Sequence, residues 1–94
     1  MELILNVLKK VKPEYREAYL RLFNECQQAT LQENGCLEYA LYQSFNNEND
    51  FLLFERWASK ETHFQHTQTG HFKKMIDATV GFFEKSELIG SLRE

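Results

Sequence analysis

The spacing of apolar residues changes along this chain, and the order of those changes limits the folds that it can adopt. Alternation predicts a first strand from Leu3 to Val11, and apolar positions three and four residues apart predict a helix from Tyr15 to Ala29. Two further strands, 36–45 and 51–57, flank a turn-forming segment at 46–50. Helices over 59–67 and 69–83 and a strand over 84–92 complete the order β-α-β-β-α-(α)-β.

Particular residues mark the ends of these elements. Pro13 suits a first helical turn, and Gly35 suits the left-handed conformation that follows a last turn. Ser59 and Thr69 stand where the two later helices need N-terminal caps. Gly90 interrupts the last alternating run, which weakens the signal for that strand.

This order is that of the ferredoxin-like split β-α-β arrangement, so we predict one α+β domain spanning residues 1–94. Its four strands form an antiparallel sheet with the helices packed on one face. The first strand is apolar on both faces, with Leu5 and Val7 on one and Ile4 and Leu8 on the other, so both faces need cover. A second copy on the open face provides that cover, and the resulting homodimer encloses space for a small ligand.

Charge and hydropathy exclude several classes of function. A net charge of −3 provides no basic field for a phosphate backbone, so we expect no nucleic-acid partner. The longest apolar stretch, Phe51–Phe54, is far short of the roughly 20 residues that span a bilayer, so we expect no membrane association. The amino terminus lacks the basic region of a signal peptide, which predicts a cytoplasmic protein. In that compartment Cys26 and Cys36, which form no C-x-x-C pair, are expected to be free.

Two strands carry polar residues that break the local pattern and are therefore candidates for a site. Asn6 is a poor strand former among apolar neighbours; it either bonds nearby backbone or presents its amide to a ligand oxygen. Glu55 lies on the same strand face as Leu53 and Trp57, and a buried carboxylate needs a partner, most simply an ion pair or a helix end. Trp57 is most simply a core residue, but its indole N–H needs an acceptor once it is buried.

Three histidines fall in the predicted helical segment. His63 and His66 are three residues apart and so share a helix face, but no nearby carboxylate or cysteine completes a zinc pattern, and we predict no metal. If His66 and His71 point into one cavity, either can act as a general base near neutral pH. The alternative is that they are capping or surface imidazoles that bond only the backbone.

Three segments of the sequence are informative together, and two of them contain the candidates Glu55, Trp57, His66 and His71. They read Gly35-Cys36-Leu37-x-Tyr39-x-Leu41-Tyr42-Gln43, then Phe54-Glu55-x-Trp57, then His66-x-x-Thr69-x-His71-Phe72. Together they resemble the antibiotic biosynthesis monooxygenase (ABM) family, and the resemblance extends from the first strand to the last. That family usually has Thr-Pro-His in the third segment, where this chain has Gly70 in place of the proline.

The resemblance implies a dimeric α/β barrel whose oxygenases act on quinols or polycyclic phenols without metal, flavin or haem. We therefore expect no cofactor, and a small aromatic substrate and O₂ as partners. Asn6, His66 and His71 match positions of that family's site and are the predicted catalytic residues. Substrate contacts are expected from four residues in the matching segments: Trp57, Glu55, Tyr39 and Phe72.

Such an oxygenase needs a base, a donor for the developing oxyanion and a dry aromatic pocket. His66 or His71 takes the proton of the substrate hydroxyl in this prediction, while Asn6 and the Trp57 N–H hold the oxygen. The phenolate then gives one electron to O₂.

Other activities in the same family stay open. Haem-degrading members place an axial histidine near the position of Ile76, which cannot bind iron, so haem degradation is disfavoured. Isomerases of small phosphorylated signalling sugars also carry the paired histidines and need a base but no oxygen. A non-catalytic module that binds a small ligand or mediates assembly is the third alternative.

Overall fold

A computed structural model describes residues 1–93 and confirms the predicted order of elements. Strand β1 (Leu3–Val11) leads through a short 3₁₀ turn (Pro13–Tyr15) into helix α1 (Arg16–Thr30). Strands β2 (Cys36–Gln43) and β3 (Asp50–Trp57) follow, then helices α2 (Lys60–Thr67) and α3 (Gly70–Ala78), and finally strand β4 (Phe83–Arg93). No helix within these 93 residues is both long and apolar enough to cross a bilayer.

The four strands form one antiparallel sheet in the order β2-β3-β1-β4, which confirms the ferredoxin-like α+β fold. Glu55 of β3 pairs with Leu5 of β1 on one side and with Tyr39 of β2 on the other. The pairing of β1 with β4 slips between Asn6 and Val7, so β4 carries an irregularity there. Gly90, opposite Asn6, therefore lies within the strand rather than ending it.

The helices cover one face of the sheet, and the core lies between them. Along β3 buried and half-buried residues alternate strictly, with Phe51, Leu53, Glu55 and Trp57 turned inward. Phe23 of α1 packs with Leu53 and Trp57 in one core cluster, and Tyr19 of the same helix packs with Phe51 in a second. The inner face of the sheet is thus the face that could contribute to a sheltered site.

The opposite, outer face of the sheet has no helix over it. Because side chains alternate between the two faces along each strand, this outer face carries several apolar residues that stay half-buried or exposed, namely Ile4, Leu8, Tyr42, Leu52, Phe54 and Leu92. Arg56 also lies there and bonds both Glu2 and Glu38. A single copy of the chain therefore leaves an apolar surface with a charged rim open to water.

Both predicted helix caps are present. The Ser59 side chain accepts from the backbone N–H of Thr62, whose own side chain accepts from the Ser59 N–H, and this capping box begins α2. The Thr69 hydroxyl accepts from the Phe72 N–H and begins α3. The Thr69 cap lies at the break between α2 and α3, with His66 on α2 just before it and His71 on α3 just after it.

Two element ends differ from the sequence prediction by more than one residue. Helix α3 ends at Ala78, not near residue 83, because the Thr79 hydroxyl donates to the Met75 carbonyl and Gly81 takes a left-handed conformation (φ +82°). Strand β4 accordingly begins at Phe83. Strand β2 ends at Gln43, and Phe45 lies in the turn with its side chain fully exposed.

Candidate active site

A cavity of about 200 Å³ lies between the inner face of the sheet and helices α1 and α3. Its aromatic walls come from four elements: Tyr19 and Phe23 of α1, Tyr39 of β2, Phe72 of α3 and Phe83 of β4. Every strand of the sheet contributes at least one residue. The sequence builds such a space because short side chains such as Thr79 and Cys26 stand opposite the sheet where larger ones would fill it.

Glu55 is the carboxylate of this cavity, as its place on the inner face of β3 predicts. It is only 6% exposed, and its Oε1 accepts a hydrogen bond of 3.0 Å from the indole Nε1 of Trp57. Trp57 is fully buried and does not line the cavity, so it contacts the site through Glu55. The Nε2 atom of His63 lies 3.9 Å from the same carboxylate oxygen.

Lys9 is a second charged group at this cavity, and the sequence interpretation missed it. Its Nζ donates to the Ser86 hydroxyl at 2.7 Å and lies 4.7 Å from the centroid of the Phe83 ring. Burial lowers the pKa of the Lys9 ammonium, and the charge of Glu55 partly opposes this shift. The sequence does contain a signal for this position, because Lys9 alternates in β1 with the same parity as Leu5 and Val7 and must face inward with them.

Tyr39 and Phe72, predicted to contact substrate, both line the cavity. The Tyr39 ring stacks on Phe23 with centroids 5.4 Å apart, and burial raises the pKa of its hydroxyl far above the usual range. Tyr39 therefore stays a neutral wall residue at neutral pH. Phe72 packs edge-on against the His66 ring, with centroids 5.0 Å apart.

The two predicted catalytic histidines converge on one carboxylate. His66 Nδ1 lies 2.7 Å from Oε2 of Glu33, and His71 Nε2 lies 2.6 Å from that same oxygen. Glu33 belongs to the turn between α1 and β2, while the histidines come from α2 and α3. Each imidazole donates to the carboxylate, so the cluster ties three parts of the chain together. Glu33 carried no sequence signal, because its partners are more than 30 residues away.

The sequence predicts that Asn6, His66 and His71 share one cavity. The structure instead places them in three different surroundings. Asn6 lies between the inward residues Leu5 and Val7, so its side chain is on the outer face of the sheet, beside Gly90. His66 is buried, at 1% exposure, but it is not among the residues that line the 200 Å³ cavity. His71 lines a separate recess of about 90 Å³.

Glu33, His66 and His71 are the group within residues 1–93 that could hold a metal ion, since their ligand atoms all lie within 4.8 Å of one another. Tetrahedral zinc with bonds of about 2.0 Å would hold its ligand atoms about 3.3 Å apart. The carboxylate oxygen lies 2.6 and 2.7 Å from the two ring nitrogens. The group is therefore arranged as a hydrogen-bonded cluster.

Both cysteines are free, as expected. Cys26 is buried between α1 and α3, where its Sγ lies 3.7 Å from the Thr30 hydroxyl oxygen. Cys36 is half-buried at the start of β2. Burial raises the pKa of both thiols, to about 11 for Cys36, so neither is a thiolate at neutral pH.

Comparison with known proteins relates this architecture to one family. A family model described as antibiotic biosynthesis monooxygenase matches residues 2–78. A Bacillus subtilis protein named "Putative monooxygenase YcnE" is 31% identical over 74 residues, which cover 79% of this chain and 78% of that protein. An uncharacterized Synechocystis protein, sll1783, is 29% identical over 76 residues, which cover 81% of this chain but only 52% of that protein. The chain thus spans about half the length of this second relative.

Solved structures show the same fold. A conserved protein from Methanosarcina mazei superposes with a TM-score of 0.93 at 25% identity, over 100% of this chain and 93% of that one. A Bacteroides thetaiotaomicron structure described as a putative antibiotic biosynthesis monooxygenase superposes with a TM-score of 0.92 at 22% identity, over 98% of this chain and 89% of that one. The family match over most of the chain and the identity to YcnE lead to one conclusion: this chain belongs to the antibiotic biosynthesis monooxygenase family.

Proposed function

We propose that this protein is a cofactor-independent monooxygenase that oxidises a small electron-rich aromatic, a phenol or quinol, inside the 200 Å³ cavity. The observation that carries this proposal is a nearly buried carboxylate, Glu55, facing an aromatic-walled space. Membership in a family whose relatives bear monooxygenase names supports the reaction class. The resemblance to oxygenases that use no metal, flavin or haem supports the absence of a cofactor.

The reaction needs only an ionised ring and O₂. Overall, a phenol and O₂ give a quinone and water: one oxygen atom enters the ring, the other leaves as water, and the ring supplies all four electrons. The first step is loss of the hydroxyl proton, because a phenolate donates an electron to O₂ far more readily than a phenol. Aromatic walls around the ring also reduce the access of water to the reactive intermediate.

In this proposal Glu55 is the general base, in place of the histidines favoured by the sequence. Glu55 lines the cavity, whereas the Nδ1 of His66 and the Nε2 of His71 are both engaged by Glu33. The Trp57 N–H holds one carboxylate oxygen in a fixed position, and the second oxygen is left to accept the substrate proton. His66 contributes indirectly, because its ring supports Phe72, a wall of the cavity.

An aromatic substrate fits the lining better than the phosphorylated sugar of the isomerase alternative. Phosphate sites use several cations or a group of backbone N–H donors. Lys9 is the only cationic side chain among the described residues that line the cavity, and most of the others are aromatic or aliphatic. The same cavity also distinguishes this proposal from a purely structural module, which needs no internal space.

The proposed enzyme is a homodimer that pairs the outer faces of two sheets. The support is the uncovered apolar surface that contains Leu8, Leu52 and Phe54, together with the dimeric barrel implied by the family resemblance. Asn6 then lies at the interface between subunits rather than in the cavity of its own chain.

Oxygen uptake with a naphthol or naphthoquinol tests the reaction. We expect uptake by the unmodified protein, and a loss of at least about a hundredfold in Glu55→Gln, since a positioned base contributes about 10²–10⁴-fold. Glu17→Gln, at an exposed position of α1, is the matched control and should keep full activity. Unchanged uptake in Glu55→Gln would remove Glu55 as the base, and no uptake by the unmodified protein with any electron-rich phenol would overturn the oxygenase proposal.

A further inference from the structure

The cavity has opposite charges at its two ends. On the paired strands β1 and β3, Glu55 lies opposite Leu5 and Lys9 lies opposite Phe51. Lys9 and Glu55 are thus separated by four residue steps, about 13 Å of strand at roughly 3.3 Å per residue. Both line the same space, so a ligand that fills it meets a cation at one end and a carboxylate at the other.

The ammonium of Lys9 has donors to spare. An ammonium carries three N–H donors, and the hydroxyl of Ser86 accepts one of them. The ion pairs formed within residues 1–93 do not include Lys9, whereas the next residue, Lys10, pairs with Asp50 at 2.9 Å on the other face of the strand. The inward cation therefore lacks the carboxylate partner that its outward neighbour has.

The surroundings of Lys9 favour binding of an anion. Burial lowers the pKa of its ammonium because the charge has lost part of its hydration. An anionic oxygen at the Nζ atom would compensate for that loss. Glu55, the other charge of the cavity, is held at the far end by the Trp57 N–H and forms no ion pair with Lys9.

We infer that Lys9 binds an anionic oxygen of the aromatic ligand, with the opposite end of the ring directed at Glu55. This inference rests on the proposed function for the location of the ligand, and it names the substrate class: a one-ring or small two-ring aromatic with an anionic oxygen at one end and a hydroxyl at the other. Size agrees with this class, because a cavity of about 150 Å³ is enough for benzene and this one is about 200 Å³.

Binding of matched probes tests the inference without any turnover. The first pair is 4-hydroxybenzoate and its methyl ester, which share the ring and hydroxyl and differ in the charge at the other end. Dissociation constants are measured by calorimetry under nitrogen, for the unmodified protein and for Lys9→Met, Lys9→Arg and Lys10→Met. We expect the unmodified protein to bind the acid about tenfold more tightly than the ester, as a charge-assisted hydrogen bond predicts.

The variants assign that preference to one side chain. Lys9→Met should bind acid and ester equally, Lys9→Arg should keep the preference, and Lys10→Met should match the unmodified protein. A second pair, 4-nitrophenolate and 4-nitroanisole, distinguishes an aryl oxide from a carboxylate as the favoured anion. Preference for the anion in either pair, lost in Lys9→Met, supports the inference.

Three results would overturn it: no preference in the unmodified protein for either pair, no binding of any probe, or a preference that survives in Lys9→Met. A lack of preference within the unmodified protein would overturn the inference even if Lys9→Met does not fold. The outcome is also separate from that of the proposed function. A Lys9-dependent preference without oxygen uptake leaves the binding site intact and removes only the reaction.

Discussion

The Oε2 atom of Glu33 lies 2.7 Å from the Nδ1 atom of His66 and joins a turn to a buried helical side chain 33 residues away. The same oxygen accepts from His71. Helix α3, which carries Phe72 and one wall of the cavity, is therefore anchored at its amino-terminal end by a residue outside both the sheet and the helices.

Replacing Glu33 with Ala should lower the free energy of unfolding by about 2 kcal/mol, because it removes a charged acceptor from two imidazoles, one of them buried. Urea denaturation measures the change. Glu25→Ala, at an exposed position of α1, is the control and should stay within about 0.5 kcal/mol of the unmodified protein. Equal stability of Glu33→Ala and the control would mean that the cluster does not contribute to folding.

Gly35→Ala should destabilise the protein more than Gly81→Ala, although both glycines have φ +82°. A side chain at either position is strained by about 1–2 kcal/mol in the left-handed region. Only at Gly35 would the new Cβ also approach a side chain, at 2.5 Å from Cγ2 of Thr62, whereas Gly81 faces open space.

The difference between the two variants should be about 1–3 kcal/mol, the usual cost of overpacking. Thermal and urea unfolding of both proteins measure it. Identical losses would show that the start of β2 and helix α2 can separate freely at Gly35.

Stability should rise with pH in part through His63. Burial lowers the pKa of His63 in the folded protein, while Glu55 and Glu33 oppose this shift and His66 adds to it. Between the folded pKa and the unfolded value of about 6.5, the unfolded chain binds more protons at this residue, so stability falls as pH falls through that window.

His63→Gln should flatten the pH dependence of the unfolding free energy below about pH 6.5, the unfolded value. Urea denaturation between pH 5 and 8 gives the profile. Since the His63 side chain is 27% exposed, the change in slope should be small. A steeper profile in His63→Gln would mean that the folded protein raises the pKa of His63 instead of lowering it.

Leu8→Glu should convert the proposed homodimer into monomers, because it places a charge at the centre of the outer sheet face. Sedimentation equilibrium measures the mass, and circular dichroism checks that the variant folds. Leu20→Glu, at an exposed position of α1, is the control and should remain dimeric. An unmodified protein that sediments as a monomer at micromolar concentration would refute the dimer.

Much of the fold follows from periodicity alone. Burial alternates along β3 without exception, and the sequence correctly predicts that Glu55 and Trp57 share a face with Leu53. The caps at Ser59 and Thr69 act through local hydrogen bonds. The end of α3 could not be read in the same way, because apolar residues continue at helical spacing past Ala78 while Gly81 turns the chain.

The site was harder to predict than the fold. Because side chains alternate along a strand, Asn6 and Leu5 lie on opposite faces of the sheet. The placement of Asn6 with the histidines came from the family resemblance and not from this alternation. The partnership of Glu33 with His66 depends on how the helices dock, which no local pattern records. The position of Lys9 could have been predicted, because Lys9 has the same parity in β1 as Leu5 and Val7 and is the only charged residue of that parity in the strand.

Trp57 is the chain's single tryptophan, and its indole N–H donates a hydrogen bond to Glu55, the carboxylate that faces the cavity. Its intrinsic fluorescence should therefore shift whenever that carboxylate gains a proton or meets a ligand. Tryptophan fluorescence should therefore report whether a ligand occupies the cavity. Candidate molecules can then be screened in solution without a label and before any reaction has been found.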